Sequence, residues 1–166
     1  MNFDWAPLRE ALRALRRDRI ALHVWRRDDD AVAATPALAR LSDLSSQSGL
    51  PVHLAVIPAH LDDTMVDVIA TAPLIPVVHG WAHTDHSAGA EKKNEFLTPR
   101  PDTRQETAQA LALMRNRFGL ALRPMFVPPW NRIAPEVVQA LPAQGYTALS
   151  TFGPRKSPEA VPGLAR

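Results

Sequence analysis

The sequence predicts an α/β protein built on a sheet of parallel strands. Short apolar runs typical of strands alternate about five times with helical periodicity, an order that implies right-handed crossovers. Such a sheet is either open or rolled into a barrel, and in both layouts ligands bind at the carboxyl ends of the strands. Segments rich in Asp, His and Pro follow three of the predicted strands, so a functional site is expected at that edge.

The first half of the chain shows three helical patterns and three strand-like runs. Trp5, Leu8 and Leu12 recur at helical spacing, and the arginines between them are interpreted as a solvated face. Thr35 is expected to cap a later helix that Gly49 ends. The predicted elements are a helix within residues 1–19, a strand over Ile20–Trp25, a helix over Pro36–Ser48, a strand over Pro51–Pro58, a helix over Asp62–Ala70 and a strand over Leu74–Val78.

The second half begins with residues 81–102, which lack clean periodicity and form a long loop of the kind that often carries function. The elements predicted after it are a helix over Thr103–Phe118, a strand over Leu122–Val127, a helix over Pro135–Leu141 and a strand over Tyr146–Phe152. The tail Gly153–Arg166 is predicted to be too irregular to add a strand. The last strand would then keep an open edge, which favours a homo-oligomer or a longer natural chain.

Composition limits the function classes. The chain has 166 residues, 46% of them hydrophobic, which fits one domain with its own core. A formal net charge of only +2 leads us to expect no nucleic-acid partner. The absence of cysteine excludes disulfides, thiolate–metal sites and a thiol nucleophile. No apolar run approaches the roughly 20 residues of a membrane span, so we expect a cytoplasmic protein without membrane contact.

Two polar motifs follow predicted strands and suggest a metal site. Asp28, Asp29 and Asp30 follow the first strand, and His79 and His83 follow the third with three residues between them. A carboxylate with two imidazoles is a ligand set suited to zinc or a similar divalent ion. One carboxylate can bind the metal while its neighbour accepts a proton. The alternatives are a solvated acidic loop and locally packed histidines.

A third motif is the stiff loop Pro128–Asn131 after the fourth predicted strand. Trp130 in this loop could form a substrate wall and aim its backbone N–H at a developing oxyanion, or it could simply be a core tryptophan. The sequence pairs Asp85–His86 and Lys93/Glu95 are interpreted as surface pairs.

Together these motifs resemble the polysaccharide deacetylase superfamily, the NodB-homology group of carbohydrate esterases, and more closely a bacterial deacetylase-like subgroup. The resemblance runs from about Arg27 to Phe152. Arg27–Asp30 is similar to the family's first motif, His79–His83 to its second, and Phe126–Asn131 to its third.

The resemblance implies a partial or distorted (β/α) barrel that removes N- or O-acetyl groups from an acetylated carbohydrate or a small molecule. It implies a divalent ion, zinc above all, held by Asp30, His79 and His83. It also implies Asp29 as the catalytic base and the Trp130 N–H as an oxyanion donor. A frame one residue earlier, with Asp28 as the base and Asp29 as the ligand, stays open.

The sequence also departs from the family. Val127 stands where many members have the arginine that orients the base, so Arg27 or Arg132 would have to replace it. The family's general-acid histidine is not evident, and His86 is the remaining candidate. Residues 1–166 are therefore interpreted as one deacetylase-like catalytic domain that is either truncated at its C-terminus or lacks this acid. A non-catalytic carbohydrate- or metal-binding domain and an unrelated metal-dependent amidase are the alternatives.

Overall fold

The fold is a seven-stranded sheet with helices packed against one of its faces. The computed structural model describes residues 3–21, 24–89, 91–98 and 100–166. The helices are α1 Ala6–Arg17, α2 Pro36–Ser48, α3 Thr64–Thr71, α4 Thr103–Phe118 and α5 Pro135–Gln144. The strands are β1 Arg26–Ala31, β2 Val52–Val56, β3 Leu74–His79, β4 Met125–Val127, β5 Ala148–Leu149, β6 Glu159–Val161 and β7 Leu164–Ala165.

The strand order is β1-β2-β3-β4-β5-β7-β6, and every neighbouring pair is parallel except β6 with β7. The α/β class with parallel strands is thereby confirmed. No helix among the described residues is long and apolar enough to cross a membrane.

Local sequence signals explain the helices. The Thr35 hydroxyl accepts a hydrogen bond from the Leu38 N–H at 3.1 Å and caps α2, and Gly49 ends that helix with a φ of 65°. Leu38 in this helix is buried, whereas Leu44 is exposed. Helix α1 forms as predicted, but none of its residues is buried, so its apolar side contributes little to the core.

The prediction for the first strand was wrong. The apolar residues Ile20, Val24 and Trp25 are exposed and lie outside any strand, while Leu22 and His23 lie outside the described residues. Strand β1 is instead the polar segment Arg26–Ala31, which pairs with β2. A polar segment can form this strand because β1 is an edge strand with a single neighbour, and because its charged side chains bind one another.

The prediction of an irregular tail was also wrong. Strands β6 and β7 form an antiparallel hairpin around Gly163, whose φ is 79°, and β7 adds in parallel to β5. Leu164 is fully buried in the main core. The hairpin was missed because its strands are only three and two residues long, too short to show alternation. The tail therefore covers the open edge of β5 that the sequence analysis expected.

The sheet is strongly rolled. The Arg27 side chain on β1 donates a hydrogen bond of 2.7 Å to the Ser150 hydroxyl, directly after β5. In a flat sheet β1 and β5 would be about 19 Å apart, because strands are spaced about 4.8 Å. An arginine side chain spans this gap only if the sheet curls toward closure. A small apolar cluster of Ala55, Val77 and Val127 fills the inside of the curl, and the larger core lies between the sheet and the helices.

Candidate metal centre

The ends of β1 and β3 bring an aspartate and two histidines together. The Oδ1 atom of Asp30 lies 2.9 Å from Nε2 of His79 and 3.2 Å from Nε2 of His83. One potential ligand atom from each residue falls within 4.8 Å of the other two. These are the three ligands that the resemblance implied, and they come from two separate segments of the chain.

The protonation of His79 makes this cluster suited to a cation. Its Nδ1 lies 2.9 Å from the carbonyl oxygen of Val127, which can only accept, so Nδ1 carries the proton and donates it. Nε2 is then a bare acceptor facing the Asp30 carboxylate, which is also an acceptor. Burial lowers the pKa of His79 and disfavours the second proton that would relieve this contact. A divalent cation held by His79 and Asp30 would relieve this contact, so the donor set fits a metal.

The backbone around the cluster is unusual. Asp30, His83, Trp130 and Asn131 all have φ between 54° and 66°, the left-handed region that non-glycine residues rarely adopt. Arg19 is the one other non-glycine residue with positive φ among those described. Backbone strain of this kind persists only where surrounding contacts enforce it, and it concentrates at functional sites. Its concentration here supports the choice of site.

Asp29 is held by an arginine on its own strand. Arg27 Nε lies 2.8 Å from Asp29 Oδ1, and Arg27 Nη2 donates to Oδ2 at 2.9 Å. The same guanidinium donates to the side chains of Asn131 at 2.9 Å and Ser150. Of the two arginines that the sequence offered as partners of the expected base, Arg27 is the one that contacts Asp29. The Asp28 side chain is largely exposed, as expected for a strand residue that points away from its neighbours. Partial desolvation, followed by the nearby carboxylates of Asp29 and Asp30, raises its pKa.

Trp130 packs directly on the cluster. Its ring lies 4.2 Å from the imidazole of His83 between centroids, at an interplanar angle of 51°. The residue sits at a kink in the turn Pro129–Asn131, where its φ is 54°. The ring thus forms one wall of the site and shields His83, and Trp130 is not simply a core residue.

Glu95 was misread from the sequence. It was interpreted as half of a surface pair with Lys93, yet it is only 1% exposed. Its carboxylate accepts hydrogen bonds from the backbone N–H groups of Trp81 and Ala82, inside the His79–His83 motif. The signal that could have found it is its place in the aperiodic loop beside Phe96, a fully buried residue.

Two further candidates lie elsewhere. The guanidinium of Arg132 donates to the backbone carbonyl of Lys93, so it is directed away from Asp29. His86 is half-buried in the loop, where its backbone N–H donates to the Asn94 carbonyl at 2.7 Å. Among the described residues no side-chain hydrogen bond links the His86 ring to the cluster, so the geometry gives no support for its role as the general acid.

Comparisons with solved structures identify proteins of the same architecture. The deacetylase domain of BpsB from Bordetella bronchiseptica matches with a TM-score of 0.63 at 13% identity, over 100% of this chain and 86% of that one. IcaB from Ammonifex degensii matches with a TM-score of 0.61 at 17% identity, over 74% of this chain and 57% of that one.

A family 4 acetyl xylan esterase from Clostridium thermocellum, solved in complex with a cobalt ion, matches with a TM-score of 0.53 at 17% identity, over 70% of this chain and 53% of that one. The chain thus spans 57% of the IcaB structure and 53% of the esterase structure. No protein-family model and no curated protein matches the sequence.

Proposed function

From the premise that this chain has the fold of the polysaccharide deacetylases, we propose that it is a metal-dependent hydrolase that removes N- or O-acetyl groups from a carbohydrate. The observation that carries the proposal is the convergence of Asp30, His79 and His83 with two imidazole nitrogens facing one carboxylate oxygen. The fold alone would not support it, because one fold serves many chemistries.

A divalent ion, zinc first, would be held by these three residues. Three protein ligands leave coordination positions open, which is typical of catalytic rather than structural zinc sites. When bound, such an ion polarises a carbonyl group and makes water more acidic. The hydrogen bond from His79 Nδ1 to the Val127 carbonyl fixes the ring so that Nε2 faces Asp30, where it could act as a metal ligand.

Asp29 would act as the base for the attacking water. Its Oδ2 is occupied by Arg27, whereas Oδ1 lies near Arg27 Nε without accepting a hydrogen bond of good geometry, so it keeps a lone pair for a proton. Once protonated, Asp29 would also be the group best placed to return the proton to the leaving nitrogen or oxygen, since no hydrogen bond among the described residues links the His86 ring to the cluster.

Trp130 would complete the site. The backbone N–H of Trp130 donates no hydrogen bond to another residue in the part of the chain that is described, which leaves it available for the oxyanion that forms from the acetyl carbonyl. The ring on His83 excludes water from one side of the cluster. The proposed roles of Trp130 are therefore to donate to the oxyanion and to shield the ligand.

The space beside Arg27 and Asn131 has a lining that suits a carbohydrate. A cavity of about 300 Å³ adjoins Arg27 and Asn131, and the exposed aromatic rings of Trp25 and Phe152 line it. Aromatic faces beside polar groups suit a sugar ring, which has both C–H and O–H surfaces. This lining supports a carbohydrate over a small acetylated amide as the substrate class.

Acetate release tests the proposal. The purified protein, stripped of metal and reloaded with zinc, is assayed on acetylated xylan, acetylated chitooligosaccharides and N-acetyl amino acids. We expect acetate from a carbohydrate only in the zinc-loaded protein, and none from His83→Ala. Release from N-acetyl amino acids alone would favour an amidase. Zinc binding without any acetate release would favour a non-catalytic domain. Val127 in place of the family's arginine, and the lack of an evident general-acid histidine, support that alternative.

A further inference from the structure

We propose that Glu95 is a positioning residue that shapes the His79–His83 loop and thereby sets the place of His83. The inference deepens the proposed function, because it rests on His83 being a metal ligand. Among the described residues, no hydrogen bond links Glu95 to the cluster of Asp30, His79 and His83. It acts through the backbone of the two residues that precede His83.

The burial of Glu95 requires strong partners. A carboxylate that is 1% exposed is costly unless hydrogen bonds replace its water. Its Oε1 accepts the Ala82 N–H at 2.8 Å and its Oε2 accepts the Trp81 N–H at 3.3 Å. Two consecutive backbone N–H groups directed at one anion form a nest, a recurrent anion-binding arrangement of backbone. The loop is thus folded around the carboxylate.

Gly80 shows how closely the loop is wrapped. Its φ is 60°, and a Cβ atom at this position would lie 2.2 Å from Glu95 Oε2 and 2.6 Å from Pro129 Cδ. No side chain can occupy that space while the carboxylate stays in place. Gly80 and Glu95 therefore form one unit, in which the missing side chain makes room for the carboxylate.

The carboxylate is fixed from its own side as well. Asn94 is 1% exposed, and its side-chain oxygen accepts hydrogen bonds from the N–H groups of Leu97 at 3.1 Å and Thr98 at 3.2 Å. Phe96 is fully buried, and its carbonyl accepts the Ala134 N–H at 2.8 Å. Asn94 is thus held in a local turn and Phe96 is held in the core, so the residues on both sides of Glu95 are fixed and its carboxylate gives the loop a rigid support.

The consequence falls on His83. This residue has a φ of 56°, a conformation that costs free energy and is sustained only by its surroundings. The hydrogen bonds to Trp81 and Ala82 fix the chain just before it, and they direct the imidazole toward Asp30, 3.2 Å from Nε2. Without them the loop would relax and the histidine would have to be reordered when a metal binds.

Glu95→Gln tests the proposal with little change in volume. It replaces one accepting oxygen by an NH₂ group that faces a backbone N–H. We expect the affinity for zinc, measured by competition with a chelator, to fall about 10- to 100-fold, the range for residues that orient metal ligands. We also expect faster hydrogen exchange at the Ala82 amide without metal, and an altered visible spectrum of the cobalt-saturated protein. Glu91→Gln, the same change at an exposed position of the same loop, is the control.

A merely structural role would lower the melting temperature and leave the spectrum at saturating cobalt unchanged, and that result would overturn the proposal. Equal zinc affinity and equal Ala82 exchange in Glu95→Gln and Glu91→Gln would overturn it too. If Glu95→Gln fails to fold, Glu95→Asp supplies the same test, because it keeps the charge but withdraws the carboxylate from the N–H groups of Trp81 and Ala82. If the wild type binds no metal, the proposed function fails and the inference with it, whereas metal binding by wild type and Glu95→Gln alike removes only the inference.

Discussion

At the scale of single residues, the consecutive aspartates Asp28, Asp29 and Asp30 are expected to have different roles because the backbone directs their side chains differently. Strand alternation separates Asp28 from Asp29, and the register of β1 against β2 shifts between Asp28 and Ala31. Within that irregularity Asp30 takes a φ of 66°. A bulge of this kind re-aims a side chain, so Asp30 can share a site with its neighbour. The sequence gives no sign of the bulge, which is why the two frames for the aspartates stayed open.

The first prediction distinguishes those frames. Asp29→Asn should abolish acetate release while keeping bound zinc, because the residue is bonded to Arg27 rather than to the histidines. Asp28→Asn should keep most activity, because this exposed side chain lies on the other face of β1. Turnover and zinc content of the two variants are measured in parallel. An active Asp29→Asn together with an inactive, zinc-loaded Asp28→Asn would shift the site by one residue.

A second prediction concerns Arg27, which holds Asp29 through two nitrogens. Arg27→Lys keeps the charge but cannot reproduce the planar fork, so Asp29 loses its orientation. We expect kcat to fall about 100-fold, since displacing a reacting group by about 1 Å costs that much, with zinc content unchanged. Arg26→Lys is the matched control, because Arg26 bonds the carbonyl of Leu50 on the other side of the strand. Equal kcat in both variants would argue against the orienting role.

A third prediction concerns pH. Burial, aided by Arg123, lowers the pKa of His53 below its usual 6.5. As pH decreases through 6.5, His53 becomes protonated in the unfolded chain but stays neutral in the folded chain. The free energy of unfolding therefore falls between pH 6.5 and the lower pKa of the folded state. Denaturant melts at about pH 7.5 and about pH 5.5 should show a smaller decrease for His53→Gln than for wild type. An identical decrease in both proteins would contradict this role.

At the scale of elements, helices were easier to predict than strands. Helix α2 carries its own start and stop signals in Thr35 and Gly49, and α4 spans its predicted residues Thr103–Phe118. Strands depend on partners elsewhere in the chain. The polar strand β1 and the short strands β6 and β7 lack the apolar pattern that predicts a strand. The apolar run Ile20–Trp25 has that pattern but is not a strand. The metal motifs were found because their residue types are specific, whereas Glu95 acts through backbone contacts that only the fold creates.

The fourth prediction belongs to the tail hairpin. Leu164 on β7 is fully buried in the main core. Leu164→Ala should lower the free energy of unfolding by about 2–4 kcal/mol, the usual cost of removing a buried leucine side chain. Leu120→Ala serves as the control, because Leu120 is 99% exposed. Equal stability of the two variants in urea would mean that the tail does not pack as described.

At the scale of the whole molecule, the roll of the sheet assembles the site. Curvature brings Arg27 on β1 to Asn131 after β4 and Ser150 after β5, and it leaves the carboxyl ends of β1 and β3 around one centre. The alternation of strands and helices predicted a parallel sheet but left an open sheet and a barrel as alternatives, and only the family resemblance implied a partial barrel. The hairpin removes the open edge of β5 on which the expectation of self-association rested. A homo-oligomer therefore stays a prediction without that support.

The central claim is that Asp30, His79 and His83 together hold one divalent ion. The most direct test is the zinc stoichiometry of the purified protein by elemental analysis after loading and exhaustive dialysis. We predict one equivalent in the wild type and a loss of most of it in Asp30→Asn, His79→Ala and His83→Ala, each shown to be folded by circular dichroism. Retention of a full equivalent by both histidine variants, or no zinc in the folded wild type, would contradict the claim.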